Sequence, residues 1–203
     1  MINHSLIKVY KLIVGNRRID RLSSVLMQYL PDDINTLLDF GCGTGKISSN
    51  IAISRPKMKI IGLDTLVRPE TYISVQEFNG KGKLPFESST FDAVMAIDVI
   101  HHTHNPREVF EKLVEVSNGY IIIKDHIANT FLDRITLKFM DFIGNKPYGV
   151  SLPYNYLSQI QWEDLFKNND LKVKKVIYKL NLYPKPFDFI FGRNLHFLII
   201  LKK

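Results

Sequence analysis

The sequence predicts an α/β fold built on a mostly parallel sheet. Short, continuous apolar runs alternate with segments whose apolar residues recur at helical spacing, a pattern typical of buried strands joined by helices. A glycine-rich turn follows the first apolar run, and an acidic residue ends the second. With 203 residues, 45% of them hydrophobic and 23% charged, the chain is long enough for one domain with a sizeable core.

The elements follow in chain order. Residues 5–30 predict two helices interrupted near Gly15-Asn16, and the segment between Asp64 and Ile73 is too short for a normal crossover helix. We expect a helical cap in residues 1–30, a ligand-binding core in 36–126, a second-substrate region in 127–170 and a strand hairpin in 171–203. Strands are predicted at 36–40, 59–63, 73–77, 91–97, 120–126, 174–180 and 196–201, with helices at 45–54, from 105 onwards, at 129–143 and at 158–168.

The turn after the first strand contains Gly41, Gly43 and Gly45. Glycine adopts backbone angles that other residues avoid, so this turn can bend sharply and expose bare backbone to a ligand at a helix N-terminus. The dinucleotide fingerprint requires glycine where Lys46 stands, and a P-loop requires Ser or Thr where Ile47 stands. The turn therefore predicts a nucleotide-type cofactor of another kind.

Asp64 ends the second predicted strand, about twenty residues after the glycines. A carboxylate there can accept two hydrogen bonds from a ribose diol. Cys42, the single cysteine of the chain, lies inside the glycine turn, where we expect it to pack rather than to react.

Two later segments narrow the interpretation. Residues 84–94 read Leu-Pro-Phe-Glu-Ser-Ser-Thr-Phe-Asp-Ala-Val, and residues 97–102 read Ile-Asp-Val-Ile-His-His. Together with the glycine turn and Asp64, they resemble the class I S-adenosylmethionine-dependent methyltransferases that act on small molecules. The resemblance implies a Rossmann-like sandwich: a mostly parallel, seven-stranded sheet with helices on both faces and a C-terminal antiparallel hairpin, whose last strand lies between the fifth and the sixth.

The resemblance also implies a cofactor, S-adenosyl-L-methionine, and the residues that bind it. The glycine turn would hold the methionine and ribose part, Asp64 the ribose hydroxyls, and the residues after the fourth strand the floor. The acid that usually meets the adenine amine is missing, and Asn79 stands in its region. The implied residues are Asp39, Gly41, Cys42, Gly43, Gly45, Asp64, Thr65, Asn79, Gly80, Asp98 and Val99.

Histidines are the candidate bases, because imidazole titrates near neutral pH. His101 and His102 follow the fourth strand and His126 follows the fifth, so all three are predicted at the ligand-binding edge of the sheet. His126 is the first candidate for a catalytic base and His101 the second; one histidine of the pair would only line the cofactor pocket. Neighbouring strand residues point to opposite faces, so we expect no metal to be shared by His101 and His102.

Composition limits the partners. The net charge of +7 is interpreted as a solubilising surface, with nucleic acid disfavoured, and the absence of long apolar runs or a leader pattern predicts a cytoplasmic protein. Tyr148, Tyr154, Tyr156, Trp162 and Phe142 are candidates to surround an aromatic or lipid-like acceptor, although Trp162 is expected in the core. RNA or protein methylation, a non-catalytic cofactor-binding module and an NAD-dependent oxidoreductase remain as alternatives.

Overall fold

A computed structural model describes residues 15–145, 149–185 and 187–203. Apart from a short helix at Phe187–Phe191, which was not predicted, the strands and helices follow the predicted order, and the boundaries shift by at most three residues. The helices are α1 (Asn16–Tyr29), α2 (Lys46–Ser54), α3 (Pro106–Val116), α4 (Phe131–Asn145), α5 (Gln159–Asn168) and α6 (Phe187–Phe191); the strands are β1 (Thr36–Phe40), β2 (Lys59–Asp64), β3 (Val75–Glu77), β4 (Phe91–Ile97), β5 (Ser117–His126), β6 (Lys172–Ile177) and β7 (His196–Lys202).

The strands form one seven-stranded sheet in the order β3-β2-β1-β4-β5-β7-β6. The first five strands, β1 to β5, run parallel to one another, whereas β7 pairs antiparallel with both β5 and β6. The predicted position of the last strand, between the fifth and the sixth, is confirmed. The carboxyl ends of β1, β2, β4 and β5 therefore lie at one edge, where ligands of parallel sheets bind.

Helices cover both faces of the sheet. Successive residues of β1 illustrate this, because Leu37 packs into one hydrophobic cluster and Leu38 into the other, and both are fully buried. The first cluster takes side chains from α1, α2 and α4, and the second from α3 and α5. A strand buried on both faces needs apolar residues at every position, which explains the continuous apolar runs in the sequence.

Capping signals place two helices where the sequence predicted them. The Asn105 side chain accepts a hydrogen bond from the Glu108 backbone N–H at 3.3 Å, with Pro106 at the first helical position of α3. Ser158 and Gln161 form a complete capping box before α5. The segment between β2 and Ile73 has no helix, as expected.

α4 does not bury its most apolar stripe. Phe131, Leu132, Ile135 and Phe139 each expose about half of their surface or more. The buried positions are Leu137, Met140 and Asp141, which follow the helical spacing i, i+3, i+4. The first predicted helix, before Gly15, lies outside the described residues. None of the helices within the described ranges combines the length and hydropathy needed to cross a bilayer.

Candidate active site

The glycine turn, residues 41–45, joins β1 to α2 at the ligand-binding edge. All three glycines have positive φ angles, +70° at Gly41, +60° at Gly43 and +73° at Gly45. A Cβ at Gly41 would lie 2.4 Å from Val99 Cγ2, and one at Gly45 would lie 2.3 Å from Ile73 Cγ1. A Cβ at Gly43 would meet nothing within 4 Å. Gly41 and Gly45 thus allow close packing, whereas Gly43 presents bare backbone to open space.

Two carboxylates flank this turn. Asp64 accepts a hydrogen bond from the Gly43 N–H at 2.7 Å through Oδ2 and one from the Leu66 N–H at 2.8 Å through Oδ1. Each oxygen keeps a second lone pair for a ligand hydroxyl. Asp39 is buried, and Ser48 donates a 2.6 Å hydrogen bond to it. Burial raises the pKa of Asp39 to about 7, and the Ser48 bond only partly opposes that effect.

Cys42 packs as expected. A Cβ on Gly62 of β2 would lie 2.6 Å from its Sγ, so the thiol occupies the space that this glycine leaves free. Burial, reinforced by the charges of Asp39 and Asp64, raises the pKa of the thiol. A thiol held in its neutral form is a poor nucleophile.

Asp98 begins the floor of the site directly after β4. It has a φ of +55°, unusual for a non-glycine residue, and it forms ion pairs with Lys124 of β5 and Arg18 of α1. Burial opposes ionisation of this carboxyl, yet the two cations outweigh burial and hold the pKa of Asp98 well below its usual range. The floor therefore carries a fixed negative charge neutralised from two different elements.

The histidine pair follows in a 3₁₀ turn over Ile100–His102, not in a strand. This contradicts the expectation that His101 and His102 point to opposite faces, because the turn brings their ring centroids to 4.0 Å. The argument used against a shared metal therefore fails. The His126 ring centroid lies 4.6 Å from that of His101, so three predicted histidines meet in one place.

His101 is held between two aspartates. Its Nδ1 lies 2.6 Å from Asp125 Oδ1, and its Nε2 lies 3.3 Å from Asp141 Oδ2. Burial alone would lower the pKa of His101, but the two carboxylates outweigh it and raise the pKa to about 10. Tyr156 in turn donates its hydroxyl to Asp141.

The neighbouring histidines behave in the opposite way. Burial and the adjacent His101 lower the pKa of His102 to about 4. Burial, His101 and Lys124 lower the pKa of His126 well below its usual range, although its Nε2 lies 3.6 Å from Asp98 Oδ1. Both rings are therefore neutral near pH 7.

An open cleft of about 760 Å³ lies against these groups. Nine of the predicted cofactor residues line it: Asp39, Gly41, Cys42, Gly43, Asp64, Thr65, Gly80, Asp98 and Val99. His102 lines it as well, together with Asn145 and the segment Gly149–Ser151. The cleft thus has one side formed by the glycine turn and Asp64 and another formed by His102 and the chain after α4.

Four predicted residues lie away from the lining: Gly45, Asn79, His101 and His126. Asn79 Oδ1 accepts a hydrogen bond from the Lys81 N–H at 2.9 Å, so that oxygen closes a local turn. His101 and His126 are buried behind the cleft, 1% and 5% exposed. Trp162, 2% exposed, packs in the core as expected and donates to the His126 carbonyl at 3.0 Å.

Sequence reasoning missed Lys124 and Asp141. Lys124 reads as an interruption in the apolar run of β5, and it is 1% exposed. Asp141 follows Leu137 and Met140 at helical spacing, an acid on the buried face of α4. A charged residue at an otherwise apolar, buried position was the available signal in both cases.

Comparison with known proteins shows the family of the chain. A family model described as "Methyltransferase domain" matches residues 14–176. The chain belongs to the class I S-adenosylmethionine-dependent methyltransferases. It is 33% identical over 114 residues to a malonyl-[acyl-carrier protein] O-methyltransferase of Legionella pneumophila, a match that covers 52% of this chain and 38% of the relative.

A Schizosaccharomyces pombe protein, named only as a methyltransferase, is 30% identical over 168 residues, covering 71% of this chain and 56% of that protein. The chain thus spans roughly two fifths to just over half of these methyltransferases. Among solved structures, a geranyl diphosphate methyltransferase in complex with GPP and sinefungin superposes with a TM-score of 0.67 at 14% identity, covering 90% of this chain and 77% of that one. This likeness supports the Rossmann-like methyltransferase fold.

The residues present fit S-adenosylmethionine. The open space over Gly43 lets a ligand contact bare backbone, and each Asp64 oxygen has one lone pair left for a ribose hydroxyl. When bound, the cofactor supplies an electrophilic methyl group on a sulfonium. The glycine turn and His102 line one and the same cleft.

Proposed function

We propose that this methyltransferase transfers the methyl group of S-adenosylmethionine to a small-molecule acceptor that binds beside His102. The observation that supports this is one continuous cleft, lined by the glycine turn and Asp64 on one side and by His102, Asn145 and Gly149–Ser151 on the other. A cofactor at the first side leaves the second side for the acceptor. The described residues leave that space open, which disfavours a closed, non-catalytic binding module.

The charges along the cleft favour a small acceptor over RNA. The described lining contains both cations and acids, so it is not a contiguous basic groove of the kind that binds phosphate backbones. Three cations, Arg18, Arg68 and Lys112, stand against four acids, Asp39, Asp64, Asp98 and Glu108. The Legionella relative, named as a malonyl-[acyl-carrier protein] O-methyltransferase, supports a carboxylate as one acceptor class to screen.

The chain contributes mainly alignment to this reaction. Methyl transfer from a sulfonium needs the acceptor atom, methyl carbon and sulfur in line and water excluded, and a base only when the acceptor must lose a proton. The glycine turn and Asp64 would fix the cofactor, and the Lys124–Asp98–Arg18 group would hold the floor rigid. Neither His126 nor His101 lines the cleft, so a direct base role for either requires an opening of the site; that assignment stays a prediction.

The test is calorimetric titration of the protein with S-adenosylhomocysteine, with NAD as the comparison ligand. We expect micromolar binding of S-adenosylhomocysteine, no binding of NAD, and loss of binding in Asp64→Ala. Asp164→Ala, an exposed acid on α5, is the matched control and should bind like the natural chain.

Acceptor screening follows with methyl-labelled cofactor and a panel of carboxylates, phenols and phosphorylated small molecules, with an RNA mixture as a competitor class. Incorporation into one small-molecule class supports the proposal. Tight binding of NAD instead, or incorporation into RNA alone, would overturn it.

A further inference from the structure

The structure groups potential metal ligands directly behind the acceptor side of the cleft. We propose that His101, His102 and Asp141 bind one divalent transition-metal ion, with Zn²⁺ as the best match. Each of these residues offers a ligand atom, and the three atoms lie within 4.8 Å of one another. Two imidazoles and one carboxylate form a donor set typical of zinc.

Two nitrogens in this group lack hydrogen bonds. Within the described residues, His101 Nε2 and His102 Nδ1 are buried and no atom forms a hydrogen bond with either. His101 Nε2 lies 3.3 Å from Asp141 Oδ2, within ion-pair distance but without the alignment of a hydrogen bond. Buried polar atoms without partners are rare, so His102 Nδ1 calls for a ligand, whereas an ion at His101 Nε2 would replace the proton that pairs with Asp141.

The separation of these two atoms suits a metal between them. Ligands placed about 2.0–2.1 Å from a tetrahedral zinc ion lie about 3.3 Å from each other. The observed distance between His101 Nε2 and Asp141 Oδ2 is 3.3 Å. Asp141 Oδ2 already accepts the Tyr156 hydroxyl, so the ion would use its second lone pair, and the two ligand atoms need little rearrangement to share one ion.

The second nitrogen of His101 is held as metal-binding histidines require. Nδ1 lies 2.6 Å from Asp125 Oδ1, which fixes the ring and directs the Nε2 side towards Asp141. A carboxylate on the far nitrogen of a ligand histidine is the usual arrangement at zinc sites. Asp125 is itself fixed by the backbone N–H groups of Ile100 at 3.0 Å and His126 at 2.7 Å.

A second possible trio, His101, Asp125 and His126, is less suitable. Asp125 already accepts three hydrogen bonds, one of them from His101. A metal bound by this trio would have to break the bond that orients His101. The geometry therefore points to the trio that contains His102.

The ion would border the cleft, because His102 is both a ligand and a lining residue. Three protein ligands leave one tetrahedral position for a water or an anionic oxygen. This last step rests on the proposed methyl transfer, in which the ion would hold an oxygen acceptor such as a carboxylate. The metal site itself does not depend on that reaction.

The test is metal binding by the whole chain, stripped of metal with a chelator and dialysed. Zn²⁺ is titrated against a chromogenic chelator, and Co²⁺ is followed by its visible d–d absorption. We expect one ion per chain and Co²⁺ bands typical of a four- or five-coordinate nitrogen and oxygen site. If Co²⁺ produces no such bands with the natural chain, the proposal is wrong, whatever the variants do.

Variants locate the ion. His102→Gln should abolish stoichiometric binding, and Asp125→Asn should weaken it about 10–100-fold through loss of the orienting carboxylate. His104→Gln, an exposed histidine two residues away, is the matched control and should bind Zn²⁺ unchanged. Binding that survives His102→Gln, or that is lost in His126→Gln instead, would overturn the assignment.

Folding and cofactor binding are measured on the same samples. In thermal unfolding, Zn²⁺ should raise the Tm of the natural chain but not that of His102→Gln. S-Adenosylhomocysteine titration separates the two proposals, because binding of that ligand without Zn²⁺ binding would overturn the metal site alone.

Discussion

The two sides of the cleft differ in the groups that form them, backbone groups on the cofactor side and side chains on the histidine side. On the cofactor side, the glycine turn has three positive φ angles, and Asp64 accepts hydrogen bonds from the backbone N–H groups of Gly43 and Leu66. On the histidine side, side chains from several elements bond to one another, as His101 does with Asp125 and Tyr156 with Asp141. The geometry of a site formed by backbone groups depends on which residue types occupy the turn. The geometry of a side-chain network depends on how elements that are distant in sequence pack against each other.

The largest effect is expected on the histidine side, from Lys124→Met. Lys124 is 1% exposed and pairs with Asp98, so its removal leaves a carboxylate in a buried setting with one cation fewer. We expect the free energy of unfolding to fall by about 3–5 kcal/mol, measured by urea denaturation. The exposed Lys172→Met should change it by less than about 0.5 kcal/mol.

A compensating change sharpens that result. Replacing Asp98 with Asn in the Lys124→Met background removes the carboxylate as well as its partner. Recovery of a large part of the lost stability would show that the Asp98 charge, left with Arg18 as its cation, causes the loss. Equal losses in the single and double variants would instead assign the loss to packing.

The second test is the pH dependence of Asp39 on the cofactor side. Its folded pKa of about 7 lies above the unfolded value of 3.8, so the folded state holds this proton more tightly. Stability from this group is fully present below pH 3.8 and is lost as pH rises through about 7. Asp39→Asn should therefore gain stability relative to the natural chain with rising pH, by up to about 4 kcal/mol at pH 8.

The two proteins should converge near pH 4, and urea denaturation across this range is the measurement. A difference that does not vary with pH would contradict the assignment to Asp39. Ser48→Ala is a useful companion, since loss of its hydrogen bond should raise the pKa of Asp39 further and move the transition to higher pH.

The third test compares two glycines of the same turn. Gly41→Ala places a Cβ 2.4 Å from Val99 Cγ2, whereas Gly43→Ala meets nothing within 4 Å, and both have positive φ. Both should lose about 1–2 kcal/mol for the left-handed backbone, and Gly41→Ala about 1–3 kcal/mol more for the clash. Val99→Ala in the Gly41→Ala background should recover part of that extra loss, measured by urea denaturation.

The smallest effect is expected outside both sides of the cleft. Ser158→Ala removes the N-cap of α5 and should lower the free energy of unfolding by about 1 kcal/mol. Calorimetry should show unchanged binding of S-adenosylhomocysteine. A large loss of binding would mean that α5 helps to position the site, through the hydrogen bond from Trp162 to the His126 carbonyl.

The cofactor side could be predicted because local rules require particular residue types there. At position 41 only glycine fits, because a Cβ there would clash with Val99. An acid at the end of β2 lies at the ligand-binding edge simply because the strand ends there. The order of the sheet followed from the resemblance to a known family. Nine of the predicted cofactor residues line the cleft, whereas Gly45 and Asn79 do not, and the binding roles of all of them stay predictions.

The histidine side could not be predicted, because its geometry depends on a turn and on which face of α4 packs against the rest of the protein. The predicted end of β4 at Ile97 is confirmed, but the sequence does not show that a 3₁₀ turn then brings His101 and His102 together. The choice of buried face on α4, which brings Asp141 to His101, is also ambiguous when both faces of the helix carry apolar residues. Periodicity gives the helix but not which of two apolar faces meets the sheet.

The ion pair between Arg18 and Asp98 links α1 to the floor of the cleft across 80 residues of sequence. Both residues line the cleft, so a ligand that binds only while α1 is docked must stabilise that helix by mass action. At a hundred times its dissociation constant, such a ligand adds about 2.7 kcal/mol to the docked state. Protease cleavage within α1 should then slow as ligand is added, which makes the helix a reporter of occupancy.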